Sequence, residues 1–367
     1  MSPPLLLIPG PVPLAPPVCR AMSKPIINHR GPEFAEILGE VRAGLRGVLK
    51  TRNDVVVLTG SGSAAMEAAI SNLTGPEDRV LVLSNGKFGA RFHEIGRRWG
   101  EAAACEAPWG ASFDLARVRE LISQQRPKVV AFVHNETSTG LKNPASEICS
   151  AARESGALVV MDAITSAGGD GVEVDRWGVD LCVVGTQKCL GSPPGLAALA
   201  VSRRAWDAMG GRAPRYLNLP AYRKSAEKGQ TPFTPAVSLF FALQESLRII
   251  RREGLARRIA RHRRMAKAVH AAAVEWGVPL FAKPEGPSAY SNTLTALAPP
   301  DPEGLKAAVK KRGVTIAGGQ DALKGKIVRI AHMGDLPARD LVRGLAAVEG
   351  ALGKEGGVEA ARKVLGV

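Results

Sequence analysis

Cysteine is scarce in this chain, with five in 367 residues at positions 19, 105, 149, 182 and 189. The number is odd and no two are spaced as CxxC. That argues against a disulfide framework and against a structural zinc site. The six histidines show no HExxH or similar ligand spacing. Long apolar runs are missing too. Those that occur, such as Leu5–Ile8 and Ala157–Met161, fall short of the roughly 18–20 residues that cross a bilayer. No basic stretch opens the chain, and Pro9 and Pro11 break its first apolar segment. That segment therefore does not read as a signal peptide, and the cytoplasm is the expected location. There is no internal repeat and no low-complexity tract.

Acidic residues are in deficit: 34 against 49 Lys and Arg, a net charge of +15. Such an excess raises the question of a nucleic-acid or anionic-surface partner. Much of it sits in Arg248–Lys267, which contains Arg251, Arg252, Arg257, Arg258, Arg261, Arg263 and Arg264. Leu255, Ile259, Ala266 and Val269 recur there at helical spacing, so the segment reads as the solvated face of an amphipathic helix. His262 and His270 lie on the same helix. No aromatic residue interleaves with the basic ones, which argues against a surface that stacks single-stranded bases. Neither a nucleic acid nor a membrane is the expected partner.

What is present is an alternation. Val55–Leu58, Arg79–Leu83, Val129–His134, Leu158–Asp162 and Leu181–Gly185 read as buried strands. Ala64–Leu73, Phe88–Trp99, Leu115–Gln124 and Ala145–Glu154 read as helices between them. This predicts an α/β fold whose mostly parallel sheet is covered on both faces. Residues 203–235 are poorer in pattern. A long helical region, Val237–Trp276, follows and breaks near Gly254. Beyond it, β-like Leu280–Ala282, Thr293–Leu297, Val314–Ala317 and Ile327–Ala331 with helical Pro302–Lys311 and Ala338–Leu352 predict a smaller C-terminal α/β unit. The length suits two domains.

Ligands of such sheets bind beyond the carboxyl ends of the strands. Three features fall there. Thr59-Gly60-Ser61-Gly62-Ser63 lies between a strand and a helix, where close backbone approach and free N–H groups suit a phosphate. It has neither the Walker lysine nor the full GxGxxG spacing. Asp162 ends an apolar strand; alone it fits a metal, a ribose, a cofactor nitrogen or a helix cap. Lys188 follows the apolar run Leu181–Gly185 and precedes Gly191-Ser192-Pro193-Pro194-Gly195. A lysine held among apolar groups loses basicity and becomes a nucleophile. A phosphate cradle, a reactive amine and a carboxylate for a ring nitrogen together fit one cofactor, pyridoxal 5′-phosphate. Phe88, just past the strand Arg79–Leu83, is placed to cover its ring.

In order and spacing these parts resemble the class V aminotransferases, above all the alanine–glyoxylate and serine–pyruvate enzymes. Asn135-Glu136-Thr137-Ser138-Thr139-Gly140 looks like that family's E-[ST]-S-T-G turn. Gln187-Lys188 with Pro193-Pro194-Gly195 matches its Q-K-x-x-x-x-P-P-G segment. Thr231–Pro235 resembles its T-P-x-T-P stretch, Val328-Arg329-Ile330 its carboxylate-binding arginine, and Pro9-Gly10-Pro11 is similar to its N-terminus.

The resemblance covers essentially the whole chain. It implies fold type I, with an N-terminal segment (1–20) at the active site and dimer interface, a large domain (21–255) and a small one (256–367). By it, Ser61, Gly62, Ser63 and Gln187 hold the phosphate, although the third position is often His in relatives. Phe88, Trp in some relatives, stacks on the ring, and Ile164 packs on its opposite face. Thr137 bonds the ring hydroxyl, Asp162 the ring nitrogen, and Lys188 holds the cofactor. Arg329 binds the substrate carboxylate. Thr234 reaches the neighbouring subunit's phosphate in a homodimer with shared sites. The implied reaction moves an amino group from alanine or serine to glyoxylate or pyruvate. Aspartate, phosphoserine, aminoethylphosphonate and ureidoglycine are the alternative donors. A cysteine desulfurase fits poorly, because Gln187 precedes the lysine and no cysteine follows Cys189. A basic binding protein that kept the fold without catalysis would have no need of the Lys188–Asp162 pair.

Overall fold

The computed structural model describes residues 4–210 and 212–367. Its main strands are β1 (Leu5–Leu7), β2 (Asp54–Thr59), β3 (Arg79–Ser84), β4 (Glu101–Glu106), β5 (Val129–Val133), β6 (Leu158–Asp162), β7 (Leu181–Gly185), β8 (Leu196–Val201), β9 (Leu294–Leu297), β10 (Val314–Gly318) and β11 (Val328–Ala331). The longer helices are α1 (Pro32–Leu49), α2 (Gly62–Leu73), α3 (Lys87–Trp99), α4 (Leu115–Gln125), α5 (Ala145–Glu154), α6 (Val237–Glu253), α7 (Leu255–Trp276), α8 (Pro302–Lys311), α9 (Ala338–Leu352) and α10 (Gly357–Leu365).

Seven strands form the main sheet in the order β2-β8-β7-β6-β5-β3-β4. All neighbours are parallel except β8, which runs antiparallel to both β2 and β7. Every residue of β5, β6 and β7 is buried. That is why these strands read as unbroken apolar runs rather than alternating ones. Residues of α1, α4, α5 and α6 fill one face of the sheet, and those of α2 and α3 fill the other. On α1, Phe34, Leu38, Val41, Leu45 and Val48 fall at helical spacing and all are buried. Each such side chain contributes about 1.5–3 kcal/mol. Pro32 opens that helix and Lys50, at φ +48°, ends it.

The second sheet has the order β1-β10-β11-β9, backed by α7, α8, α9 and α10. Its edge strand β1 comes from the chain's beginning and pairs parallel to β10, Leu5 opposite Val314. The N-terminus is thereby fastened to the smaller unit, and the residues after β1 lead directly into the cleft. Among the described residues no helix is long and apolar enough to cross a membrane.

The expected strands of the main sheet are all present, and the long helix breaks at Gly254, whose φ is +81°. Two further strands were not anticipated. The β4 and β8 sequences, Glu-Ala-Ala-Ala-Cys-Glu and Leu-Ala-Ala-Leu-Ala-Val, are rich in alanine, a weak strand former, and form only because neighbours pair with them. The strand expected at Leu280–Ala282 is absent. Prolines at 279 and 284 bound it, and only an isolated bridge, Leu280 to Leu297, is made. Residues 203–235 contain two short helices, Arg203–Ala208 and Leu219–Ala226, opened by Ser202 and Asn218 side chains that accept from backbone N–H groups.

Candidate active site

Adjacent parallel strands bring the two key ionisable groups together. Asp162 is the last residue of β6 and lies opposite Val183 of β7; Lys188 follows three residues beyond the end of β7. Asp162 is buried and, among the described residues, its carboxylate receives one hydrogen bond, from the Ile164 N–H at 2.7 Å. Burial, with buried Glu136 nearby, pushes its carboxyl up to about 7. Burial holds Lys188 down, to about 8, and the charges of Arg329 and Arg91 add to the effect.

The N-terminal segment closes over this amine. Lys188 Nζ donates to the Pro9 carbonyl. Gly10 has φ +94°, a conformation that favours glycine, and a Cβ there would fall 2.7 Å from Lys188 Cδ. The lysine loop is held by its carbonyls. Val12 N–H donates to Gln187 O at 3.2 Å, Gly191 N–H to Lys188 O at 2.9 Å, Arg258 Nη2 to Cys189 O at 2.8 Å, and Ser246 Oγ to Leu190 O.

Helix α2 starts beside these strand ends. Ser61 caps it, its hydroxyl accepting from the Ala64 N–H at 3.4 Å. A Cβ on Gly62 would meet Ile164 Cδ1 at 2.5 Å, and one on Gly185 would meet Ile164 Cγ2 at 3.0 Å. Both glycines thus make room for Ile164, which fills the space between the two strand ends and the helix. Free N–H groups at a helix start favour an anion. Gln187 is half-buried next to this position, and its Oε1 meets no donor among the described residues.

Phe88 is the second residue of α3. A buried carboxylate places it: Glu136 Oε2 accepts from the N–H groups of Phe88 and Gly89 at 3.0 and 3.1 Å, and Oε1 from Ser138 N and Oγ at 3.1 and 2.6 Å. A Cβ on Gly86 would lie 2.4 Å from Glu136 Cγ. Thr137 donates its hydroxyl hydrogen to Thr165 Oγ1 at 2.9 Å, which leaves its lone pairs to accept. Arg329 reaches across from β11. Its Nη1 donates to Thr137 O at 3.1 Å and its Nε to Gly318 O at 3.0 Å. It is 5% exposed and, among the described residues, has no carboxylate within ion-pair distance. Burial lowers it to about 10, partly opposed by Glu136.

Pairwise contacts thus bring Ser61, Gly62, Ser63, Phe88, Asp162, Ile164, Gln187, Thr137, Lys188 and Arg329 near one another at the carboxyl end of the sheet. Thr234 stands apart. It is exposed beside Thr59, Tyr216 and Phe233 and makes no hydrogen bond to those residues.

The Aminotransferase class-V model matches residues 21–334. The chain belongs to this family. An uncharacterized aminotransferase of Methanocaldococcus jannaschii is 41% identical to this class V aminotransferase, over 98% of this chain and 97% of its own. A Synechococcus protein named soluble hydrogenase small subunit is 40% identical over 98% of each. The crystal structure of ureidoglycine–glyoxylate aminotransferase from Bacillus subtilis has a TM-score of 0.94 at 32% identity, covering 100% of this chain and 99% of that one. The fold is type I of the pyridoxal-phosphate enzymes and the cofactor is pyridoxal 5′-phosphate. The residues present fit it. Asp162 is a buried carboxylate with one neutral partner, which a protonated ring nitrogen would complete. The Ser61–Ser63 helix start suits the phosphate.

Sequence reading missed several parts of this aminotransferase site. Glu136 was only a motif letter, because the partners by which it places Phe88, the N–H groups of Phe88 and Gly89, lie far along the chain. The basic helix is not solvated throughout: Arg258 is 0% exposed, paired with Glu253 at 2.7 Å and Asp335 at 2.6 Å. Six neighbouring cationic residues hid it. Removing one member of a buried pair strands the others, so Arg258→Met lowers unfolding stability by about 3–5 kcal/mol. Urea denaturation checks this; a loss below about 1 kcal/mol would show that the cluster relaxes freely.

Proposed function

We propose that the enzyme moves the amino group of a small L-amino acid, alanine or serine, to glyoxylate or pyruvate, in two half-reactions through one site. The observation that carries this reading is Arg329. It is a buried cation that, among the described residues, has no carboxylate partner, and its charge is felt at Lys188. Every amino acid and 2-oxo acid presents a carboxylate next to its reacting carbon, and a planar guanidinium grips both oxygens. Pro9 and Gly10 lie against the Lys188 amine, which favours a short side chain. The Bacillus subtilis structure, named for glyoxylate, supports that acceptor and makes ureidoglycine the second donor to test.

In this reading Lys188 holds the cofactor and, once released by the incoming amine, carries the proton away from the substrate Cα. When bound, pyridoxal phosphate supplies an electron-withdrawing ring. Asp162 keeps the ring nitrogen protonated. Ser61, Gly62, Ser63 and Gln187 hold the phosphate, Phe88 and Ile164 enclose the ring, and Thr137 accepts from its hydroxyl. Exposed Thr234 serves the neighbouring site of a homodimer, which light scattering tests directly. Residues 21–255 form the cofactor-binding domain and 256–367 the smaller one, with 1–20 at the site and dimer interface.

Arg329→Ala lowers kcat/KM by about 10²–10³-fold for donor and acceptor alike, the scale of two charge-assisted hydrogen bonds. Arg329→Lys recovers little, because an ammonium cannot form the fork. The amount of bound cofactor stays unchanged. A variant that loses cofactor, or handles both substrates normally, would remove Arg329 from the role. A screen of amino donors against glyoxylate and pyruvate identifies the pair.

A further inference from the structure

We propose that Arg91 is a positioning residue for the cofactor: it braces Phe88 from one ring face and turns the Ser63 hydroxyl toward the phosphate. This rests on the cofactor placement proposed above.

Arg91 lies on α3, one turn after Phe88, so both side chains share a helix face. Its guanidinium carbon sits 4.9 Å from the centre of the Phe88 ring. That separation suits cation–π attraction. One face of the ring is thereby occupied by protein, and the other is left for the cofactor.

The second contact sets a hydrogen. Arg91 Nη1 lies 3.0 Å from Ser63 Oγ. A guanidinium has only donors, so the serine must accept there. Its own hydrogen is then free, and no acceptor among the described residues takes it. Ser63 is the second residue of α2, at the helix start where an anion is favoured. The free O–H therefore belongs to a phosphate oxygen.

Among the described residues no ion pair accounts for the charge. Arg91 is half-buried and, among the described residues, pairs with no carboxylate, whereas Arg258 and Arg261 both do. Its field reaches both key groups, favouring ionised Asp162 and neutral Lys188. It thus helps the lysine amine to be uncharged at neutral pH as well as helping hold the anion.

The test compares wild-type holoenzyme with Arg91→Ala, Arg91→Lys, Ser63→Ala and the Ser63→Ala/Arg91→Ala double variant. Release of pyridoxal phosphate after dilution is followed by absorbance, and the bound cofactor's absorbance is titrated with pH. Arg91→Ala is expected to release cofactor about 10–100-fold faster, the scale of one lost charge-assisted contact. Arg91→Lys falls between it and wild type. The double variant loses less than the sum of the two single losses, because the Arg91–Ser63 contact is shared between them. The pH midpoint moves upward in Arg91→Ala. Wild-type release with an unmoved midpoint would overturn the proposal. So would normal cofactor retention combined with a raised KM for dicarboxylic donors alone, which would make Arg91 a substrate residue. Wild-type protein that holds no pyridoxal phosphate would overturn both this proposal and the reading beneath it.

Discussion

Replacing Lys188 with alanine leaves a folded protein that no longer transaminates. The side chain contributes little to stability: it is an amine taken out of water, and its hydrogen bond is to one carbonyl, that of Pro9. The loop around it keeps the contacts that hold it, since Val12, Arg258 and Ser246 bind the carbonyls of residues 187, 189 and 190. Turnover is different. The same nitrogen is asked both to hold the cofactor and to carry the Cα proton, and no other lysine is found among the residues that converge on the cleft. A positioned general base alone is worth about 10²–10⁴-fold. With the covalent role lost as well, kcat falls by at least about 10⁴-fold. Cofactor still binds, more weakly, through Ser61–Ser63, Gln187 and Asp162. Single-turnover absorbance with a saturating donor measures the loss; a rate within tenfold of wild type would place the base elsewhere.

Asp162→Asn is the second large effect. Asparagine keeps the shape and can still accept from the Ile164 N–H. It cannot balance the charge of a protonated ring nitrogen. Removing such a preorganised electrostatic partner costs about 10²–10³-fold in kcat, with KM little changed because Arg329 still holds the carboxylate. A pH signature accompanies it in the cofactor-free protein. Burial raises the folded-state carboxyl from 3.8 to about 7. Below the lower value both folded and unfolded chains are protonated, and the contribution is fully present. As pH rises toward the upper value, the unfolded chain ionises first, and stability on the order of a few kcal/mol is lost. Cofactor-free Asp162→Asn lacks that decline. Denaturant midpoints at pH 5 and pH 8 measure it, and an identical decline in both proteins would show that Asp162 is not the titrating group.

Lys188, Asp162 and the Thr59–Ser63 turn were legible in the sequence for one physical reason. Each directly follows or ends an apolar strand, and the carboxyl ends of parallel strands are where such sheets bind ligands. The strands themselves were legible because burial on both faces leaves only apolar residues. The rest depends on partners distant in the chain. The alanine-rich β8 becomes a strand only between β2 and β7. Leu5–Leu7 finds its place beside Val314–Ile316, near the other end of the sequence. Arg258 is indistinguishable by composition from the arginines around it, and its burial, Asp335 and the Cys189 carbonyl set it apart.

The central claim is that Lys188 holds the cofactor. Borohydride treatment of the holoenzyme fixes pyridoxal phosphate to whichever amine carries it, and peptide mapping then locates the mark. One modified lysine, Lys188, is expected, in the peptide that contains Gly185–Gly195. A mark on any other lysine, or none in protein with cofactor bound, would contradict it.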